Sequence, residues 1–162
     1  MKKLVLVAGV LSLGLLASCG GDAEPSRADQ MKERMEANAA AEAAKVKASE
    51  RVDLENKGIG PITSITLEPV DEALAAEGKA VFDRDCTACH KADKKFVGPS
   101  PQGIMERRSP EWIMNMILDP EGMVAEDALA KDLLMEFNGS PMANQNLTEE
   151  EARAVLEYFR TL

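Results

Sequence analysis

Three side chains in one run of five can do chemistry together: Cys86-Thr87-Ala88-Cys89-His90. Cysteines at i and i+3 point the same way off one helical turn. Two sulfurs so placed can reach both vinyl groups of a single porphyrin, and the histidine that follows can put Nε2 on its iron. The C-x-x-C-H run therefore reads as covalent attachment of one c-type haem, through Cys86 and Cys89 with His90 as ligand. Two other chemistries compete for the same residues. A structural zinc site takes four ligands, and beyond Cys86, Cys89 and His90 residues 71–162 offer no fourth Cys or His for it. A dithiol of the thioredoxin kind wants strand–helix–strand surroundings, and no strand pattern of useful length is visible.

The composition agrees with that reading. A chain of 162 residues suits one domain, and 45% hydrophobic residues suffice for a small core. A formal net charge of −9 argues against nucleic acid, whose phosphates it would repel. A single His excludes any site needing two imidazoles from one chain. With one Trp, one Tyr and four Phe, the core is left to Leu, Ile, Val, Met and Ala, or to a group that is not protein. No Ser-His-Asp set, phosphate-cradling loop or acid–base carboxylate pair stands out. The chain is read as a carrier and not an enzyme, with most of its acidic residues on solvated helix faces.

The N-terminus reads as an address. Met1-Lys2-Lys3 is a basic start, and Leu4 to Leu16 is a short apolar run, below the ~20 residues that a membrane-spanning helix needs. It ends in Leu16-Ala17-Ser18-Cys19, which resembles the lipobox of bacterial lipoproteins. That resemblance implies a signal peptide over 1–18, lipidation of Cys19 and a periplasmic location. The acyl chains carried by such a cysteine provide stable anchoring. Gly20 in the next position favours the outer membrane, by analogy with enteric sorting.

Residues 19–57 read as a polar tether, rich in Ala, Glu and Lys. Gln30 to Arg51 has good helix formers but few apolar positions, namely Met31, Met35 and Val46. Gly58-Ile59-Gly60-Pro61 breaks this stretch, and residues 58–70 read as an extended segment packing on the domain that follows. In 71–162, periodicity predicts four helices. The first runs from Asp71 to Asp85, with Leu74, Gly78, Val81 and Phe82 on one face. The second starts from Ser109 and Pro110 and buries Trp112, Ile113, Met116 and Ile117. The third spans about Ala125 to Phe137, and the fourth opens with the capping pair Thr148 and Glu151.

At this point residues 71–162 resemble a class I cytochrome c. Gly78, Phe82 and Cys86 have the i, i+4, i+8 spacing of that family's N-terminal helix, and Val155, Tyr158 and Phe159 match its C-terminal helix. The resemblance implies an all-α cytochrome c fold, with the two terminal helices crossed around one covalent haem c. Gly78 would then admit the close approach of Tyr158. Val97-Gly98-Pro99 also fits, and implies that the Pro99 carbonyl accepts a hydrogen bond from His90 Nδ1. A leucine commonly follows two residues later; here Pro101 stands in its place.

For the iron's second axial ligand, a His is absent and Met is the natural donor. Met114, Met116 and Met135 fall on helices, where core filling is the ordinary role. Met142 follows Pro141 in an irregular stretch before the last helix, where the family places its ligand. Met123, read as lying in a loop after Gly122, is the runner-up. Arg107 and Arg108 are candidates to pair with haem propionates, and Lys91, Lys94 and Lys95 to meet an acidic partner patch. The whole implies a lipid-anchored monohaem electron carrier between a donor complex and an acceptor. The Trp112-to-Met123 stretch and Met142 to Leu147 resemble lipoprotein cytochromes that serve nitrous-oxide reductases or haem-copper oxidases. A catalytic or gas-sensing haem module with a displaceable Met is the alternative.

Overall fold

The computed structural model describes residues 26–43 and 46–162, with the side chains of 39–43 left aside. The signal stretch and Cys19 lie outside the described residues. The chain divides into two units, one ending at Asn38 and one beginning at Ala39. In the first, Ser26 caps helix α1 (Arg27–Ala43): its Oγ accepts from the Asp29 amide at 3.2 Å and donates to the Asp29 carboxylate at 2.7 Å. Met31 and Met35 are exposed on it. Helix thus covers part of the stretch of good helix formers and stops short of Arg51.

The second unit carries α2 (Glu72–Asp85), a 3₁₀ turn (Ile104–Glu106), α3 (Pro110–Leu118), α4 (Pro120–Glu126), α5 (Ala128–Glu136) and α6 (Glu149–Phe159). No strand occurs among the described residues; a single bridge joins Asp53 to Arg108. Asp71 caps α2, and Ser109 with Pro110 opens α3. Thr148 and Glu151 form the expected reciprocal box on α6, with bonds of 3.2 and 3.1 Å. The expected third helix is two elements. Asp127 interrupts it, ending α4 and capping α5 through the Ala130 amide at 2.7 Å.

The principal packing in the second unit is α2 on α6, and α3 also leans on α6. Gly78 sits at the crossing. A Cβ there would lie 1.8 Å from the Ala154 carbonyl oxygen and 2.8 Å from the Val155 nitrogen. The close approach is therefore by the backbone of α6 and not by Tyr158. Tyr158 packs instead on Phe82, ring centroids 5.5 Å apart, and Phe159 meets the same ring edge-on at 5.8 Å.

Residues 46–70 form a strap along the helices, and several buried polar groups hold it. Asn115, 1% exposed in mid-helix, donates to the carbonyls of Lys57 and Ile62 and accepts from the Ile62 amide, all at 2.9 Å. Asp127 accepts from Asn56 at 2.7 Å and from Trp112 Nε1 at 3.2 Å. The Ser49 amide and hydroxyl donate to Glu136 at 2.8 and 2.7 Å. Within 58–70, Ile62, Ile65 and Leu67 pack against the core. The part from Ala48 to Lys57, expected as tether, is bound as well. Ala48 is buried, and Arg108 occupies its carbonyl and that of Arg51, so neither is left for a continuing helix.

Not all the acidic residues are solvated. Glu157 is fully buried and accepts from the Asp71 amide at 2.9 Å, from Arg160 at 2.6 Å and from Arg153. Burial pushes its carboxyl upward, but that amide and the two guanidiniums outweigh it and hold it below the usual range. The clamp ties the end of α6 to the start of α2.

The contact at Gly78 gives a direct test. Ala is the better helix former by ~1 kcal/mol, yet here its methyl would collide with backbone, which cannot turn away. Gly78→Ala should destabilise the protein by about 1–3 kcal/mol or more. A thermal melt with a midpoint at or above the wild type would show that the helices do not meet there.

Candidate functional site

The two cysteines and the histidine stand where α2 runs out. The Cys86 amide still donates to the Phe82 carbonyl at 2.9 Å; Cys89 and His90 then donate back to the Cys86 carbonyl at 3.1 and 2.8 Å. The chain thus coils once more past Asp85, and Thr87 ties that turn down through the Asp83 carbonyl at 2.9 Å. Cys86 and Cys89 are not joined in a disulfide. Burial, aided by the Asp85 carboxylate and opposed by Arg84, pushes the Cys86 thiol up to about 11.

His90 is oriented by the loop that follows. Its Nδ1 lies 2.8 Å from the Pro99 carbonyl oxygen. A carbonyl only accepts, so this bond places the proton on Nδ1 and leaves Nε2 as the nitrogen able to bind a metal. The Gly98 amide returns to the Cys89 carbonyl at 2.9 Å. Gly98 packs flat on the ring, for a Cβ there would stand 2.5 Å from His90 Cε1. Pro101, the departure from the family pattern, is buried and faces the same space.

That space is a cavity of about 220 Å³. Cys86, Cys89, His90 and Pro99 border it, and so does Met142 from the stretch between α5 and α6. Apolar walls come from Phe82 on α2, Ile113 and Ile117 on α3, Leu133 on α5 and Val155 on α6. Asn144 anchors the Met142 segment by donating to the Leu118 carbonyl at 3.2 Å, and Asn146 turns through φ 54° with its amide on Asn144 Oδ1 at 2.7 Å. Among the other methionines, Met116 also borders the cavity, from α3. Met123 does not. It is on α4 instead of in a loop, 0% exposed, and its sulfur lies 3.0 Å from the Ile59 amide.

Two thiols, an imidazole with one nitrogen already committed, a thioether and apolar walls meet around one space. This donor set fits a haem. The family profile described as Cytochrome c matches residues 75–162. The chain belongs to the cytochrome c family. It is 34% identical over 95 residues to cytochrome c-551 of Stutzerimonas stutzeri, covering 56% of this chain and 81% of that one. A cytochrome c2 of Rhodopseudomonas palustris is 27% identical over 112 residues, 54% of this chain and 97% of the other. Among solved structures, a cytochrome c from Rhodothermus marinus is 40% identical and covers 71% of this chain and 92% of its own, with a TM-score of 0.61. The fold is the all-α cytochrome c fold, and the cofactor is one covalent haem c.

The basic residues near the site do more than the sequence suggested. Lys91 donates to the Thr87 carbonyl at 3.0 Å and stands 5.0 Å over the exposed Phe96 ring; Lys95 stands 4.3 Å over Phe137. Arg107 and Arg108 both border the cavity. Arg107 donates to the Gly103 and Gln102 carbonyls at 2.9 and 3.0 Å, and Arg108 reaches three other main-chain carbonyls. The residues missed by sequence reading are Asn115, Asp127 and Ser49, because polar contacts between residues far apart in the chain carry no periodic signal.

Gly98→Ala tests the seat of His90. The new methyl would push the ring off the Pro99 carbonyl. The cytochrome should then show a lower ratio of haem absorbance to protein and a lower melting temperature. Full loading with an unchanged melt would mean that the ring does not depend on this packing.

Proposed function

We propose that this monohaem electron carrier is lipid-anchored on the periplasmic side of a membrane, where it passes single electrons from a respiratory complex to a terminal reductase or oxidase. In this reading Cys86 and Cys89 would hold the haem through thioether bonds, and His90 Nε2 and the Met142 thioether would be the ligands of its iron. The haem supplies a one-electron ferric/ferrous couple. The cavity carries the proposal: it gathers both thiols, a histidine whose Nδ1 is fixed by Pro99, and Met142 on a segment pinned at Asn144.

What the residues do follows from their chemistry. The Pro99 carbonyl, by accepting from Nδ1–H, makes Nε2 a stronger donor and keeps the ring from rotating. A thioether is a soft, neutral donor that favours ferrous iron and raises the potential. Ligation by both His90 and Met142 would leave the iron no position for a substrate, which suits electron transfer over catalysis. The exposed Phe96 and Val97, beside Lys91, Lys94 and Lys95, offer an apolar and basic approach to a partner.

The anchor reading is supported by the Leu16-Ala17-Ser18-Cys19 run. Gly20 after it favours the outer membrane. The strap, bound from Ala48 onward, leaves the segment before it to span the distance to the lipid, a shorter reach than a tether ending at Lys57 would have.

Replacing Met142 by Ala should abolish the weak red absorption of ferric iron–thioether ligation, lower the potential and let carbon monoxide bind the ferrous form. Met116→Leu and Met123→Leu should leave that absorption in place. Its loss in Met116→Leu with retention in Met142→Ala would assign the sulfur to α3 and overturn this reading.

Cys19→Ser, made with a signal peptide cleaved by ordinary signal peptidase, should release a soluble protein with full haem content and an unchanged spectrum. Membrane fractions that still retain it would rule out the lipid anchor.

A further inference from the structure

Helix α5 closes through the Gly139 and Ser140 amides, which donate to the Leu134 and Phe137 carbonyls at 2.8 and 3.2 Å. Helix α6 opens at Thr148 with its capping box. Between these fixed ends runs the segment that carries Met142, residues 141–147. Pro141 has no amide hydrogen, and among the described residues no main-chain hydrogen bond ties 141–147 to another element. Met142 and Leu147 are partly buried against the core, and the rest of the segment is exposed. One side chain bridges the gap: Asn144 Nδ2 donates to the Leu118 carbonyl at 3.2 Å. Leu118 is the last residue of α3, where carbonyls have no partner inside their own helix. The same helix puts Ile113, Met116 and Ile117 on the cavity wall. The other end of the Asn144 side chain accepts from the Asn146 amide at 2.7 Å, where Asn146 turns left-handed at φ 54°. A carbonyl only accepts and a main-chain amide only donates, so both ends of this side chain are committed. Gln145 reaches only the Ala143 carbonyl within its own segment, at 3.1 Å.

We propose that the Asn144 side chain is the latch of the Met142 segment: its bond to Leu118 sets how often that segment swings off the cavity, and hence how readily a small neutral ligand such as carbon monoxide reaches the haem. The proposal rests on the reading of Met142 as an iron ligand. A segment held by so few hydrogen bonds opens locally at far lower cost than the domain unfolds. The turn before it can act as the hinge. Asn138 and Gly139 are both left-handed, at φ 61° and 71°, and a Cβ at Gly139 would meet nothing within 4 Å. Because Asn144 is exposed, water competes for the Leu118 carbonyl, and the latch shifts the balance severalfold and not by orders of magnitude. The apparent affinity for an entering ligand scales with the open fraction. Electron transfer needs Met142 seated and ligand entry needs it gone, so Asn144 is a positioning residue that decides between the two.

Carbon monoxide titration of the full-length, haem-loaded ferrous protein tests the latch. Asn144→Ala removes both bonds, whereas Asn144→Asp keeps the acceptor for Asn146 and loses the donor to Leu118. Both variants should bind carbon monoxide roughly 2- to 10-fold more tightly than the wild type. In both, the red absorption of the ferric form should fade on heating well before the helices melt by circular dichroism. Asn56→Ala removes a hydrogen bond of the strap, and should lower the melting temperature without raising the affinity. Wild-type affinity in both Asn144 variants overturns the proposal. An equal gain in Asn56→Ala also overturns it, since the effect is then general loosening. A gain in Asn144→Ala alone assigns the effect to the Asn146 contact, and the latch on Leu118 falls. Should Asn144→Ala fail to fold, Asn144→Asp decides by itself. If Met142→Ala keeps the red absorption, the ligand assignment fails and the latch with it. If Met142→Ala loses that absorption while the Asn144 variants behave as wild type, the assignment stands and only the latch falls.

Discussion

The backbone contact between α2 and α6 at Gly78 is the constraint on which the site depends. One helix runs directly into Cys86, Cys89 and His90, and the other begins just after the segment bearing Met142. Main chain touching main chain leaves no soft side chain to absorb a shift, because the Cβ position at Gly78 is already filled by the Ala154 carbonyl. Interiors packed in this way transmit displacement without damping it. The distance between the cysteine turn and the Met142 segment is therefore set by the register of two helices. Phe82, Tyr158 and Phe159 lock the same crossing from its flank.

A second layer of the structure is polar and buried. Asn115, Asp127, Glu136 and Arg108 each bind the strap, and in three of the four cases they bind its backbone. An extended segment has no hydrogen-bonding partner of its own, so its amides and carbonyls must be satisfied by what it lies on. Helix side chains supply that here. A polar group removed from one of these places would leave its partner buried and unpaired, at ~1–3 kcal/mol each. The strap is for this reason continuous with the domain and not an accessory to it.

These two layers differ in how far they could be read beforehand. The haem run and the caps of α3 and α6 were legible, because each depends on residue types at fixed local spacing, and the Pro99 bond to His90 followed from the family resemblance. The limits of the tether were not. Nothing in Ala48 to Lys57 is periodic, and its partners lie about 50 to 90 positions away in the sequence. Helix α4 was hidden for a local reason: Pro120 and Gly122 read as a loop, whereas Pro at the first helical position and Asp119 accepting from the Gly122 amide start a helix. That helix carries Met123 into the core, which removes its sulfur from contention as a ligand. The identity of the residue approaching Gly78 was similarly out of reach, since backbone proximity leaves no mark on side-chain patterns.

Buried charge is handled here in two ways, by ion pairing and by hydrogen bonds to neutral groups. Glu157 and Glu111 are buried acids with cations beside them, Arg153 and Arg160 for the first and Lys57 at 3.4 Å for the second. Arg108 is a buried base held by three carbonyls beside the Trp112 ring, and Asp127 is a buried acid held by two amides and the indole N–H of Trp112; the charge of Asp127 acts on Arg108 without an ion pair. Dipoles stabilise a cation where they stand but carry no net charge, so beyond a few ångströms the field of the guanidinium persists. An ion pair would have cancelled it. A cation caged by carbonyls thus differs from a paired one in what it does to its surroundings, even where its own stability is similar. At the wall of the cavity that fits the haem, the field of Arg108 is therefore tempered by the carboxylates of Asp53 and Asp127 and does not act alone.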